Sequence, residues 1–122
     1  MIFYLIKFKM KNKNEYYGGF IVSQNVINGV QIRYSYREKS SIPQLNGWNI
    51  LSKIDDEEYI SEPGNFSIIS AEAMLKLAPV FLEIFDAPYG TDLFWKYEED
   101  VHIGFYDLIG DCETNIERIL NK

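Results

Sequence analysis

The 122-residue chain has a single cysteine, Cys112, and a single histidine, His102. One cysteine excludes an internal disulfide and any zinc site built from several thiolates, and it fits a reducing compartment. A Ser-His-Asp or Cys-His arrangement would have to be built on His102, and nothing around it has the pattern of a nucleophile site. Long hydrophobic runs are lacking too, since no stretch approaches the roughly eighteen apolar residues of a membrane-spanning helix. The opening MIFYLIKFKM is apolar, but its first lysine follows the apolar residues and no small-residue cleavage site comes after it. It reads as an edge strand and not as a signal sequence, so a cytoplasmic location is expected. Basic residues are outnumbered, with 12 Lys+Arg against 18 Asp+Glu and a net charge of −6. Phosphate binding needs a concentrated basic surface, so nucleic acid is disfavoured as a partner.

Apolar residues are plentiful at 47%, with 16% aromatic, which excludes a disordered chain and suits one domain over residues 1–122. Charge is segregated along the sequence. Residues 1–53 hold eight basic and two acidic side chains, while residues 54–122 hold four and sixteen. Such segregation often cancels within a fold.

Strand patterns dominate the first half. GFIVS, QIRYSYRE and WNILS read as strands, and QNVING as a helical turn closed by Gly29. In QIRYSYRE, alternation places Ile32, Tyr34 and Tyr36 on one face and Arg33, Ser35 and Arg37 on a second, wet and basic face. DDEEYI suits a short helix start, FSII a buried strand, and AEAMLKLA a helix capped by Ser70. VFLEIF fits helix or strand equally. TDLFWKY follows as a strand and EEDVHIGFYD as a mostly polar loop. A final helix is expected near 111–121, with Cys112, Ile116, Ile119 and Leu120 on one face. Early strands, few helices and no regular βαβ alternation predict an α+β domain around a mainly antiparallel sheet.

Three groups of residues invite a chemical reading. Asp55, Asp56, Glu57 and Glu58 are consecutive, so on a helical turn they radiate around the axis and at most two could share an ion. No metal site, cofactor or catalytic residue is expected from them. Arg33 and Arg37 could grip a carboxylate or phosphate, or pair with acids of the fold. Trp48 is either half-exposed after Gly47 or part of the core, and Cys112 reads as a small buried apolar residue.

The blocks GGFIVSQNVINGVQIRYSYRE (18–38), GWNILSKIDDEEYISEPGN (47–65) and DAPYGTDLFW (86–95), in this order and spacing, resemble the Imm33 family of bacterial immunity proteins. The likeness covers about residues 18–97 and leaves the 98–122 tail unmatched. It implies a non-enzymatic α+β domain that neutralises a toxin of the same bacterium, encoded in a polymorphic toxin locus, by stoichiometric protein binding. The partner would be that cognate toxin. An acidic inhibitor would be steered to a basic target, with Trp48, Asp55, Asp56, Glu57 and Glu58, together with Arg33 and Arg37, as the expected partner-binding residues. Trp48, Tyr59 and Asp86 fit a scaffold role at least as well, because buried aromatics and turn-forming Asp-Pro sequences need no partner. The alternative function is a small regulatory or adaptor domain binding a protein or small ligand through the basic strand face.

Overall fold

Runs rich in β-branched and aromatic residues become strands, and polar caps start the helices between them. The computed structural model describes residues 17–121, so the strand expected in residues 1–10 lies outside the described residues. The strands are β1 (Gly19–Ser23), β2 (Ile32–Arg37), β3 (Leu45–Ser52), β4 (Phe66–Ile69), β5 (Asp92–Glu98), β6 (Val101–Asp107) and β7 (Cys112–Thr114). They form one sheet in the order β4-β1-β3-β2-β5-β6-β7. Every neighbouring pair is antiparallel except β1 with β3. The short helices are α1 (Gln24–Ile27), α2 (Glu57–Ile60), α3 (Ala71–Leu77), α4 (Phe81–Ile84) and α5 (Ile116–Leu120). The architecture is α+β around a mainly antiparallel sheet, as the sequence predicts.

The core lies on one face of the sheet. Val22, Ile50, Ser35, Leu93 and Asp107 stand in one row across five strands, and all are buried. Met74 of α3, Phe81 and Ile84 of α4 and Ile119 of α5 join Val22, Ile50 and Leu93 in a single cluster with Trp48 and Trp95. Phe81 sits between the two indoles, with ring centroids 5.2 Å from Trp48 and 5.3 Å from Trp95. The undecided VFLEIF is therefore helical at its centre, because a turn following Pro79 places Phe81 and Ile84 together in the core.

Strand β2 departs from simple alternation. Ile32 pairs with Ser52 but Tyr34 pairs with Leu51, so two steps along β2 match one step along β3. This bulge at Arg33 inverts the faces beyond it. Ile32, Ser35 and Arg37 lie on the core side, whereas Tyr34 stands opposite Phe94 in an outer row that continues to Tyr106. The expected grouping of Ile32 with Tyr34 and Tyr36 is corrected accordingly.

Three further expectations change. EEDVHIGFYD is a turn leading into strand β6, because Glu99 and Asp100 take positive φ values of 49° and 67° and close a two-residue hairpin between Glu98 and Val101. FSII is an edge strand, bonded on one side to β1 among the described strands, with Ile68 66% exposed. Gly19 leaves room for Ile68, since a Cβ there would lie 2.6 Å from its Cγ2. The C-terminal helix begins at Ile116, where the Asn115 side chain accepts the Arg118 amide at 2.9 Å. Cys112 falls in β7 and is exposed, not buried. No helix of the described residues is long and apolar enough to cross a membrane.

Candidate functional site

The four acids at 55–58 divide into distinct roles. Asp55 ties the end of β3 to α1. Its carboxylate accepts the Ser52 amide at 2.7 Å, the Ser52 hydroxyl at 2.6 Å and the Asn25 side-chain amide at 2.7 Å. Partial burial by itself would raise this carboxyl, but hydrogen bonds from Ser23, Ser52 and Asn25 outweigh it and hold the pKa below its ordinary 3.8. Asp56 caps α2, accepting the Tyr59 amide at 2.8 Å. Glu57 and Glu58 fill the exposed first turn of α2, where the helix N-terminus favours negative charge. The helix start read from sequence is present, and two of its acids are free to face a partner.

Trp48 is 0% exposed. Its indole N–H donates to the Phe85 carbonyl at 3.0 Å, and its ring packs edge-on against Phe81. A side chain with no exposed surface cannot anchor a partner, so Trp48 belongs to the scaffold. Gly47 explains the local path. A Cβ there would lie 2.3 Å from the Glu38 carbonyl oxygen, and the residue has φ +91°.

Arg37 is likewise turned inward. Its Nε donates to the Asn46 carbonyl, and its Nη1 donates to the carbonyls of Phe85 and Ala87, each at 2.9 Å. The guanidinium also lies 5.1 Å from the Phe85 ring and 4.8 Å from the Tyr89 ring. Desolvation lowers its pKa, partly offset by Tyr89 and Asp86. Arg37 thus locks β2 to the DAPYG turn. Arg33, at the bulge, lies 5.0 Å over the Phe94 ring on the opposite face, and its Nη2 donates to Gln31 at 3.3 Å. The two arginines do not converge, and the expected basic face is absent because the bulge separates them.

One feature escaped sequence reading. An open cleft of about 770 Å³ lies among the α1–β2 loop, the Lys53–Ile54 turn, the α3–α4 junction and the β5–β6 hairpin. Its walls include Ile32, Ile54, Leu77, Val80, Tyr97 and His102, drawn from segments far apart in sequence. The exposed Asp100 and Lys53 also line it. Burial lowers the pKa of His102 below 6.5, with the Gly104 backbone pulling the other way. Burial also pushes the Tyr97 phenol up to about 12, against a lowering effect of Arg33. Among the described residues, no three His, Cys, Asp or Glu side chains group as a metal ion would require.

The interlock of β2, β3 and the 85–90 turn joins the three sequence blocks in one structural unit. The model of the Imm33 immunity protein domain matches residues 20–104, well over half of the chain. The chain belongs to the Imm33 immunity protein family. The match extends past the expected end at residue 97 to take in the β5–β6 hairpin and the first half of β6. No curated protein and no solved structure matches this Imm33 chain.

Proposed function

We propose that this Imm33 protein neutralises a cognate toxin of the same bacterium by one-to-one binding in the cytoplasm, without chemistry of its own. Family membership over residues 20–104 is the observation that carries this reading. The physical character of the surface supports it. A net charge of −6 favours encounter with a basic partner, such as a toxin whose own substrate is anionic. Of the expected interface residues, Glu57 and Glu58, with the outer side of the Asp56 cap, offer exposed charge. Asp55 holds the turn before them, while Arg37 and Trp48 are engaged with the 85–87 segment. Arg33, stacked on Phe94, belongs to the other face of the sheet.

The test is co-purification with the protein encoded beside it, followed by light scattering to count subunits and a growth assay with the toxin induced. A one-to-one complex and restored growth are expected. If the purified pair fails to associate and growth is not restored, the immunity reading is wrong. Glu57→Gln with Glu58→Gln should weaken the complex and reduce its salt dependence, with only a small loss of thermal stability from the α2 N-terminus.

A further inference from the structure

The cleft beside the β5–β6 hairpin has the construction of a recognition site. Its volume of about 770 Å³ lies within the range of sites that enclose a small ligand or a few side chains. The floor is apolar, and two large apolar side chains stand at the mouth without cover, Ile54 at 57% and Leu77 at 38% exposure. Tyr97 and His102 form an aromatic wall, with ring centroids 5.3 Å apart. The His102 Nε2 is buried and has no hydrogen-bond partner. Because that nitrogen is covered by the rings around it, the wall meets an occupant as an aromatic and apolar face.

Charge around the mouth selects the occupant. Glu98, Glu99 and Asp100 are all exposed on the hairpin. Across the cleft, Ile54 leads within four residues to Asp56, Glu57 and Glu58. Lys53 is the cation among the lining residues, and among the described residues the only ion pair joins Lys96 to Glu113, so neither Lys53 nor Asp100 is engaged in one. A second copy of this chain would bring another −6 to an acidic rim and is disfavoured. A basic protein segment suits both the rim and the floor.

We propose that this cleft receives an aromatic or branched aliphatic side chain of a basic protein partner, with a flanking lysine or arginine held by Asp100 and the hairpin acids. The inference rests on the immunity reading in taking the toxin as that partner. An apolar anchor in a pocket ringed by charge is the arrangement in which few residues carry most of the binding energy.

Two measurements on the full chain test it. In the first, the isotope-labelled protein is titrated with acetyl-Lys-Trp-Lys amide and, as a control, acetyl-Glu-Trp-Glu amide. The lysine peptide should shift the amides of Val30, Ile54 and His102, and the glutamate peptide should not. Ile54→Ser and Asp100→Asn should each weaken the effect by about threefold, the scale of one exposed charge or part of one apolar side chain. Both positions are exposed, and asparagine tolerates the positive φ at residue 100, so an unchanged melting temperature is expected to accompany the loss. No shifts at the cleft, or equal shifts with both peptides, would overturn the inference.

In the second, the same two variants are measured in the toxin complex beside Ile68→Ser on the β4 edge. The cleft variants should lose about tenfold in affinity, as for loss of an interface anchor, and the edge variant should lose nothing. Unchanged affinity in the cleft variants overturns the cleft inference and leaves the immunity reading standing. Absence of any complex with the unmodified chain overturns the immunity reading, and the peptide titration then decides the cleft by itself.

Discussion

Arg37 and Trp48, paired across β2 and β3, donate to the same carbonyl oxygen, that of Phe85. The two lone pairs of that oxygen are thereby claimed by two side chains from adjacent strands. Arg37 reaches on to Ala87 and Asn46, so one guanidinium donates to three carbonyls. The arginine strand, the Gly-Trp strand and the Asp-Ala-Pro-Tyr-Gly turn are joined at this point. They are three parts of one clamp.

Removing the guanidinium should therefore damage stability. Arg37→Met keeps much of the stem but removes the side-chain donor to the Asn46 and Ala87 carbonyls and leaves the Phe85 carbonyl to the Trp48 indole alone. We expect a loss of about 2–4 kcal/mol in urea unfolding, in line with unpaired buried acceptors. A loss below about 1 kcal/mol, the value of an ordinary single hydrogen bond, would show that water replaces the clamp.

Gly47→Ala places a methyl group against the Glu38 carbonyl in a left-handed backbone conformation. Because the obstacle is backbone just past the end of β2, itself bonded to Gly47, relief requires the two segments to part. A destabilisation of about 2 kcal/mol or more is expected from thermal unfolding. Gly29→Ala is the matched control. It also has positive φ, at 101°, but a Cβ there meets nothing within 4 Å, so its cost should be the smaller one.

Asp55 makes a pH-dependent contribution with a definite sign. Its folded pKa is below the unfolded value near 3.8, so its stabilisation is present above that value and lost as pH falls through the folded pKa. Acid unfolding should therefore steepen below about pH 4. Asp55→Asn should flatten that limb of the curve and lower stability at neutral pH. An identical acid limb in wild type and variant would mean that the turn does not depend on the charge.

His102 should titrate below 6.5 when followed by its ring proton resonances, because burial disfavours the imidazolium. Its folded pKa being depressed, stability is present above 6.5 and declines as pH falls through the folded value. A midpoint above 6.5 would place the ring in open solvent or beside an acid, contrary to its packing against Trp95 at 4.5 Å.

Cys112 is exposed at the β7 edge. One thiol per chain should react with a disulfide reagent in the native protein, at a rate that denaturant raises only slightly. Protection released only on unfolding would contradict its position.

Composition and local pattern determined the α+β class, the helix start at Ser70, a helix start within DDEEYI, the turn at Gly29 and the family. These depend on caps, turns and periodicity, which act within a few residues of chain. The tertiary structure decided which side each β2 residue faces, because a bulge at Arg33 is a mismatch with β3 and leaves no mark on β2 itself. It decided that EEDVHIGFYD contains a strand, since acidic residues at positive φ make a hairpin turn only when β5 and β6 pair. It also separated the acids at 55–58. Asp55 holds the turn and Asp56 caps α2, while Glu57 and Glu58 remain exposed, a division set by Asn25 and Ser52 arriving from other elements. The cleft was invisible for the same reason. Its walls come from four separate segments, and only the sheet brings them to one place.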